Sequence, residues 1–159
     1  MAVKTYYGDG YKDPSSVLAV NAIKAEATVK NIYSKFIFAS GDSSTTTLFV
    51  GQVPSNARLL RSSTLKTWGV AGLTSFSLGF GKNGAVVNSK GAALMSAVDI
   101  ASAASKDPLA ALTAGDIGKF AWQLAGYSAD PGGMLDIIGT TGADTSGAGT
   151  IEFEINYAK

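Results

Sequence analysis

The stretch Gly149-Thr150-Ile151-Glu152-Phe153-Glu154-Ile155-Asn156-Tyr157 decides the fold. Ile151, Phe153, Ile155 and Tyr157 fall on one side of an extended chain, and Glu152, Glu154 and Asn156 on the other. Period two is the spacing of a strand that packs one face on a core and leaves the other in water, an arrangement antiparallel sheets allow. Upstream, residues 140–150 (TTGADTSGAGT) form a loop of small residues leading back to a strand at 134–138. The two strands are expected to form a long-looped hairpin. Asp130-Pro131-Gly132-Gly133 opens it with a turn, proline and glycine each fixing part of the geometry.

Further strands follow toward the N-terminus. Residues 28–39 (TVKNIYSKFIFA) are rich in β-branched and aromatic types and stop at the turn pair Gly41-Asp42. Thr45 to Val53 is a second run, closed by Pro54-Ser55-Asn56. Arg58 to Trp68 alternates in part, and Leu73 to Phe80 alternates more cleanly. Two stretches read as helix: residues 91–104, with Leu94, Ala97, Val98 and Ala101 at helical spacing, and residues 116–126, with an acidic start and a glycine stop. Several short strands separated by Gly, Pro and Asp turns predict an all-β, jelly-roll-like β-sandwich with one or two short helices.

Residues 1–25 are of another kind. The segment YYGDGYKDP (residues 6–14) has three tyrosines and two glycines and no periodicity that buries a face. Pro14-Ser15-Ser16 either caps a short helix through Val17, Val20, Ile23 and Ala27 or continues extended, and both readings stay open. The expected division is an extended N-terminal arm at 1–25 and a sandwich domain at 26–159.

The 159 residues contain no histidine and no cysteine. That removes the commonest general base, the commonest metal ligands and the thiol nucleophile together. A chain of this length buries roughly two-thirds of its surface and sustains a core without disulfides or metal. The opening MAVKTYYGDG has no apolar stretch of signal-peptide type, and no window reaches the ~18 apolar residues of a membrane helix. Synthesis without export is therefore expected, with no membrane partner. Residues 1–90 carry ten Lys/Arg and four Asp/Glu, and residues 91–159 carry three and eight, so net charges of +6 and −5 give the overall +1. Such a division orients a protein on a partner or between its own copies. The basic residues form no dense run, which leaves nucleic-acid binding without support.

Three motifs touch on chemistry. Gly79-Phe80-Gly81-Lys82-Asn83-Gly84 satisfies G-x-G-x-x-G, but the residues after it (AVVNS) do not open a helix that could hold a pyrophosphate. A glycine-rich β-turn around Lys82-Asn83-Gly84 accounts for it. Ser63-Thr64-Leu65-Lys66 matches S-x-x-K, yet on a strand residues three apart point to opposite faces. Glu152 and Glu154 share a strand face at ~7 Å, a spacing compatible with glycoside hydrolysis, but that face looks simply solvated. No catalytic residue, metal site or cofactor is predicted.

Tyr6, Tyr7 and Tyr11, with Lys4 and Lys12 beside them, read as contact residues, because amphipathic rings bury large area while keeping a polar tip. Trp68 and Trp122 read as core or subunit-interface residues.

The order of several weak motifs resembles the head decoration (cement) proteins of tailed bacteriophages. They are LFVGQVPSNARLLRSSTL at 48–65, FSLGF at 76–80, ALMSAVDIASAAS at 93–105, Asp130-Pro131-Gly132-Gly133, and the closing GAGTIEFEINY. The resemblance covers residues 28–158 and implies a jelly-roll-like sandwich, often a homotrimer, on the outer surface of a virion capsid. Such a protein, made in the host cytoplasm, bridges neighbouring copies of the major capsid protein and stabilises the shell without enzymatic activity. On this reading Lys4, Tyr6, Tyr7, Tyr11 and Lys12 touch the capsid, while Arg58, Arg61 and Trp68 lie at the subunit interface, the arginines facing the acidic C-terminal half. The alternative is a carbohydrate- or receptor-binding sandwich of a phage fibre or tail, for which Tyr127 and the arm tyrosines are the available aromatic platforms.

Overall fold

The computed structural model describes residues 29–159. Ten strands run in chain order: β1 (Val29–Phe38), β2 (Thr47–Pro54), β3 (Arg58–Leu59), β4 (Thr64–Trp68), β5 (Phe76–Lys82), β6 (Ala85–Val86), β7 (Met95–Val98), β8 (Ala103–Lys106), β9 (Met134–Thr141) and β10 (Gly149–Ala158). Helical structure among the described residues is a 3₁₀ turn at Ala114–Asp116 and one turn of α-helix, α1 (Ala121–Leu124).

The strands form two antiparallel sheets. The first has the order β1-β10-β4-β8, with β3 also on β10, and the second the order β2-β9-β5-β6, with β7 also on β5. The pairings nest: β1 with β10, β2 with β9, β4 with β8, β5 with β7. A ribbon wrapped in this way sends successive stretches of chain to alternate sheets, which is the jelly-roll path. The predicted all-β sandwich with short helices is what the chain forms.

The alternation in β10 sets the core. Ile151, Phe153 and Ile155 are buried completely, while Glu154 across the pleat is exposed. Phe153 meets Phe36 of neighbouring β1 edge-on at 6.1 Å and Phe76 of the opposite sheet at 5.9 Å. Phe80, Leu65, Leu78, Leu135 and Ile137 complete the layer between the sheets. Each such side chain contributes roughly 1.5–3 kcal/mol on burial.

At one side of the sandwich the edge strands β1 and β2 close on each other. A bulge between Phe49 and Gly51 interrupts the β2–β9 register, and the Ser34 hydroxyl donates to the Val50 carbonyl. A Cβ at Gly51 would lie 2.6 Å from Ile32 Cγ2, so Ile32 uses the space that the glycine leaves.

Four expectations need correction. Strands β9 and β10 are not a hairpin, because the jelly-roll path places them in opposite sheets. The small-residue loop between them crosses the end of the sandwich, held by Gly41 N–H to Thr145 O, Ser146 N–H to Ala71 O and Gly142 N–H to Ser75 O. Residues 91–104 are not a helix. Leu94, Met95 and Ile100 are the buried positions, Met95 pairs with Leu78, and the Asp99 carboxylate accepts the Ala101 N–H at 2.8 Å. That local side-chain bond and the ladder to β5 outcompete helical periodicity. The window 58–68 is two strands, split where Ser63 turns back on the Leu60 carbonyl. Finally, the predicted helix at 116–126 is divided by Gly118, at φ +84°, into the 3₁₀ turn and α1, which stops at Gly126 as expected.

The glycines of the G-x-G-x-x-G match have a structural use. Segment 85–91 folds back over β5, with Phe80 N–H donating to Lys90 O and Val87 N–H to Phe80 O. A Cβ on Gly79 would sit 1.9 Å from the Lys90 carbonyl oxygen. Asn83 and Gly84 form the two-residue turn between β5 and β6, both at positive φ (53° and 83°), as tight hairpins demand. Buried Asp136 clamps that turn, accepting Gly84 N–H at 2.9 Å and Gln52 Nε2 at 2.7 Å. We expect Gly79→Ala to lower the unfolding free energy by about 1–3 kcal/mol, through the clash with the segment crossing it, as measured by urea titration.

Candidate functional site

The outward face of the first sheet carries no covering layer among the described residues, and its side chains fall into cross-strand rows. Ile37 of β1 lies opposite Thr150 of β10, and Trp68 follows one position beyond the Thr67–Ile151 pair, beside Ala103 of β8. The next row is Lys35, Glu152, Lys66 and Ser105, with charges alternating in sign across three strands. Beyond it come Tyr33, Glu154 and Thr64, then Asn31 and Asn156. Opposite charges on directly facing positions are the stabilising choice in a sheet.

Four apolar or aromatic side chains on this face are open to solvent: Ile37 is 77% exposed, Val29 62%, Tyr33 61% and Trp68 48%. Lys35 Nζ lies 3.4 Å from Glu152 Oε1. The Lys66 ammonium sits 4.6 Å from the centroid of the Trp68 ring, a cation–π contact that fixes the indole. Partial desolvation of its ring, followed by a hydrogen bond to Glu152 and the charge of that carboxylate, raises the Tyr33 phenol above its ordinary pKa. Between Lys35, Trp68, Thr150 and Glu152 the face dips into an open hollow of about 340 Å³. Sequence reasoning reached Trp68 and Glu152 one at a time. The hollow arises from their register, which no single stretch of chain displays.

The other end of the same sheet holds the two arginines. Arg58 pairs with Ala158, so about 25 Å of β10 separates it from the Trp68 row, at ~3.3 Å per residue. Its guanidinium stacks 4.7 Å from the Phe120 ring centroid. Arg61 bonds Asp107 Oδ2 at 2.8 Å and the Leu112 carbonyl at 2.7 Å, pinning the segment after β8. Asp107 belongs to the acidic half of the chain, so Arg61 meets that half within its own molecule. The structure thus brings Arg58 and Arg61 to one end of the sheet and Trp68 to the other. Lys4, Tyr6, Tyr7, Tyr11 and Lys12 lie outside the described residues.

The remaining sequence candidates take structural roles. Ser63 is buried, donating to Leu60 O and accepting Asn156 N–H at 2.9 Å, while Lys66 points out to Trp68. Glu154 accepts from Asn31 Nδ2 at 3.1 Å. Tyr127 and Trp122 are partly buried against the core. Near the arginine end, Lys119 Nζ (2.8 Å) and the Thr113 hydroxyl (2.7 Å) bond Asp116 and hold its carboxyl well below the usual range. Asp130 is lowered by bonds from Ser55 and the Gly132 N–H, and by Lys82.

A carboxyl whose folded pKa is depressed stabilises the fold above its unfolded value, near 4, and loses that contribution as pH falls toward the folded one. Wild type should therefore exceed Asp116→Asn in stability at pH 6, and the gap should shrink below about pH 4, as read by urea titration across pH.

No protein-family model and no curated protein matches the chain. Among solved structures, it is similar to a chain of the cyanophage Pam1 capsid asymmetric unit, with a TM-score of 0.58 and 14% sequence identity. The match covers 93% of this chain and 96% of that one, so the two share a fold over nearly their whole lengths.

Proposed function

We propose that this protein is a head decoration (cement) protein of a tailed bacteriophage. It binds the outer surface of the capsid and stabilises the shell by bridging major capsid protein subunits, without catalysis. The observation that carries this reading is the likeness, across 93% of one chain and 96% of the other, to a chain of a cyanophage capsid asymmetric unit. Two chains of nearly equal length then share one architecture, and one of them belongs to a capsid. The motif order that resembles cement proteins, quoted above from residues 48–157, is independent support drawn from the sequence.

In this proposal the arm supplies the capsid contact through Lys4, Tyr6, Tyr7, Tyr11 and Lys12, and the sandwich serves as a rigid body. Three copies gather through the arginine end of the first sheet. Arg58 faces a neighbour there, and Arg61 shapes the contact by holding the segment at Asp107 and Leu112 in place. Exposed ion pairs contribute little by themselves, so the strength of such a contact depends on how far Arg58 is buried on assembly.

Quantitative mass spectrometry of purified particles of the encoding phage, against the major capsid protein, tests the assignment. Hundreds of copies per particle, in a simple ratio to the capsid protein, are expected. A handful of copies assigns the chain to a fibre or tail instead, and its absence from particles ends the virion reading. Deleting residues 2–13 should weaken capsid binding at least tenfold (~1.4 kcal/mol) with the melting temperature shifted by no more than a few degrees. Undiminished binding removes the arm from the mechanism.

A further inference from the structure

We infer that the hollow at Trp68 is a binding site for a neutral saccharide, engaged through a vicinal diol and one apolar ring face. The inference stands apart from the capsid assignment, since it uses only the outward face of the first sheet. At about 340 Å³ the hollow lies at the small end of the range of ligand sites, enough for one or two sugar rings. Its lining is one aromatic wall, one ammonium, one carboxylate and one hydroxyl: Trp68, Lys35, Glu152 and Thr150.

The chemistry of these four groups selects the ligand. Lys35 and Glu152 face each other at 3.4 Å and Lys66 sits on the indole; with Glu154 in the next row, the two central rows of the face carry two ammonium groups and two carboxylates, so net charge favours neither an anion nor a cation. A donor and an acceptor held side by side match two adjacent hydroxyls, one accepting from the ammonium and the other donating to the carboxylate. The C–H face of a pyranose is flat and apolar enough to stack on an indole, and Thr150 offers a further hydroxyl in the lining. Such a ligand is hydroxyl-rich on its rim and apolar on one side, which is the pattern of this surface.

The site is also preorganised. Lys66 fixes the Trp68 ring, while Lys35 holds Glu152, so little side-chain freedom is lost on binding. Sheet strands, not loops, carry all four lining residues, Trp68 as the last residue of β4 and Thr150 as the second of β10. Binding by such a shallow site is weak for one copy and grows by avidity when many copies are displayed together.

The test uses the full-length protein and neutral trisaccharides built from glucose, galactose and N-acetylglucosamine, followed through the two indole N–H signals by NMR. The Trp68 signal, assigned by its loss in Trp68→Phe, should shift saturably with at least one probe below about 10 mM, and the Trp122 signal should stay in place. Glu152→Gln, which keeps the shape and removes the charge, should weaken that binding at least fivefold. The inference is overturned if no probe shifts the Trp68 signal, if Glu152→Gln binds as wild type does, or if a sialylated trisaccharide, run beside the neutral probes, is the one that binds.

Discussion

Phe153 joins the two sheets. It sits at the middle of β10, against Phe36 from the strand beside it and Phe76 from the sheet opposite, and is wholly closed to solvent. The strand that carries it pairs with β1, β3 and β4. The inner faces of two sheets are apolar and have only each other to cover them, so the contact across Phe153 and Phe76 fixes which side of every strand is inside. The outward face of the first sheet, with its rows of Lys35, Glu152 and Lys66, is the other half of the same constraint.

That constraint explains why chemistry is sparse inside the sandwich and surface features matter. Asp136, the buried carboxylate, is consumed by Gln52 and Gly84 in fixing a hairpin turn. The glycines of the apparent nucleotide motif let segment 85–91 lie directly on β5. In both cases residue types that invite a catalytic or cofactor reading serve backbone packing instead. The exposed Ile37, Tyr33 and Trp68 have no such use within the described chain. The arginine end is built up by Asp107, Asp116 and Phe120 into a separate surface.

Much of the fold was legible because period-two alternation is local. Ile151 to Tyr157 showed its buried and solvated faces directly, and the β-branched and aromatic runs that became β1 and β2 showed their strand character. The Asn83-Gly84 turn was equally legible, since that dipeptide tolerates positive φ at both positions. The segment around Met95 was misleading. Its alanines favour helix on their own, and only the open ladder of β5 together with the Asp99 turn makes it a strand.

The candidate site was legible in part. Trp68 and Glu152 could each be singled out, but they are more than eighty residues apart in the chain and meet only through the β4–β10 register. By itself the sequence determined the all-β class, the strand faces, the tight turns and the lack of histidine and cysteine chemistry, because each depends on residues within a few positions of one another. Tertiary structure alone decided that β9 and β10 part into opposite sheets, that residues 91–104 extend, and that Lys35, Trp68, Thr150 and Glu152 share a hollow. Those outcomes depend on which strands pair, and pairing is chosen by the burial of a whole sheet face at once.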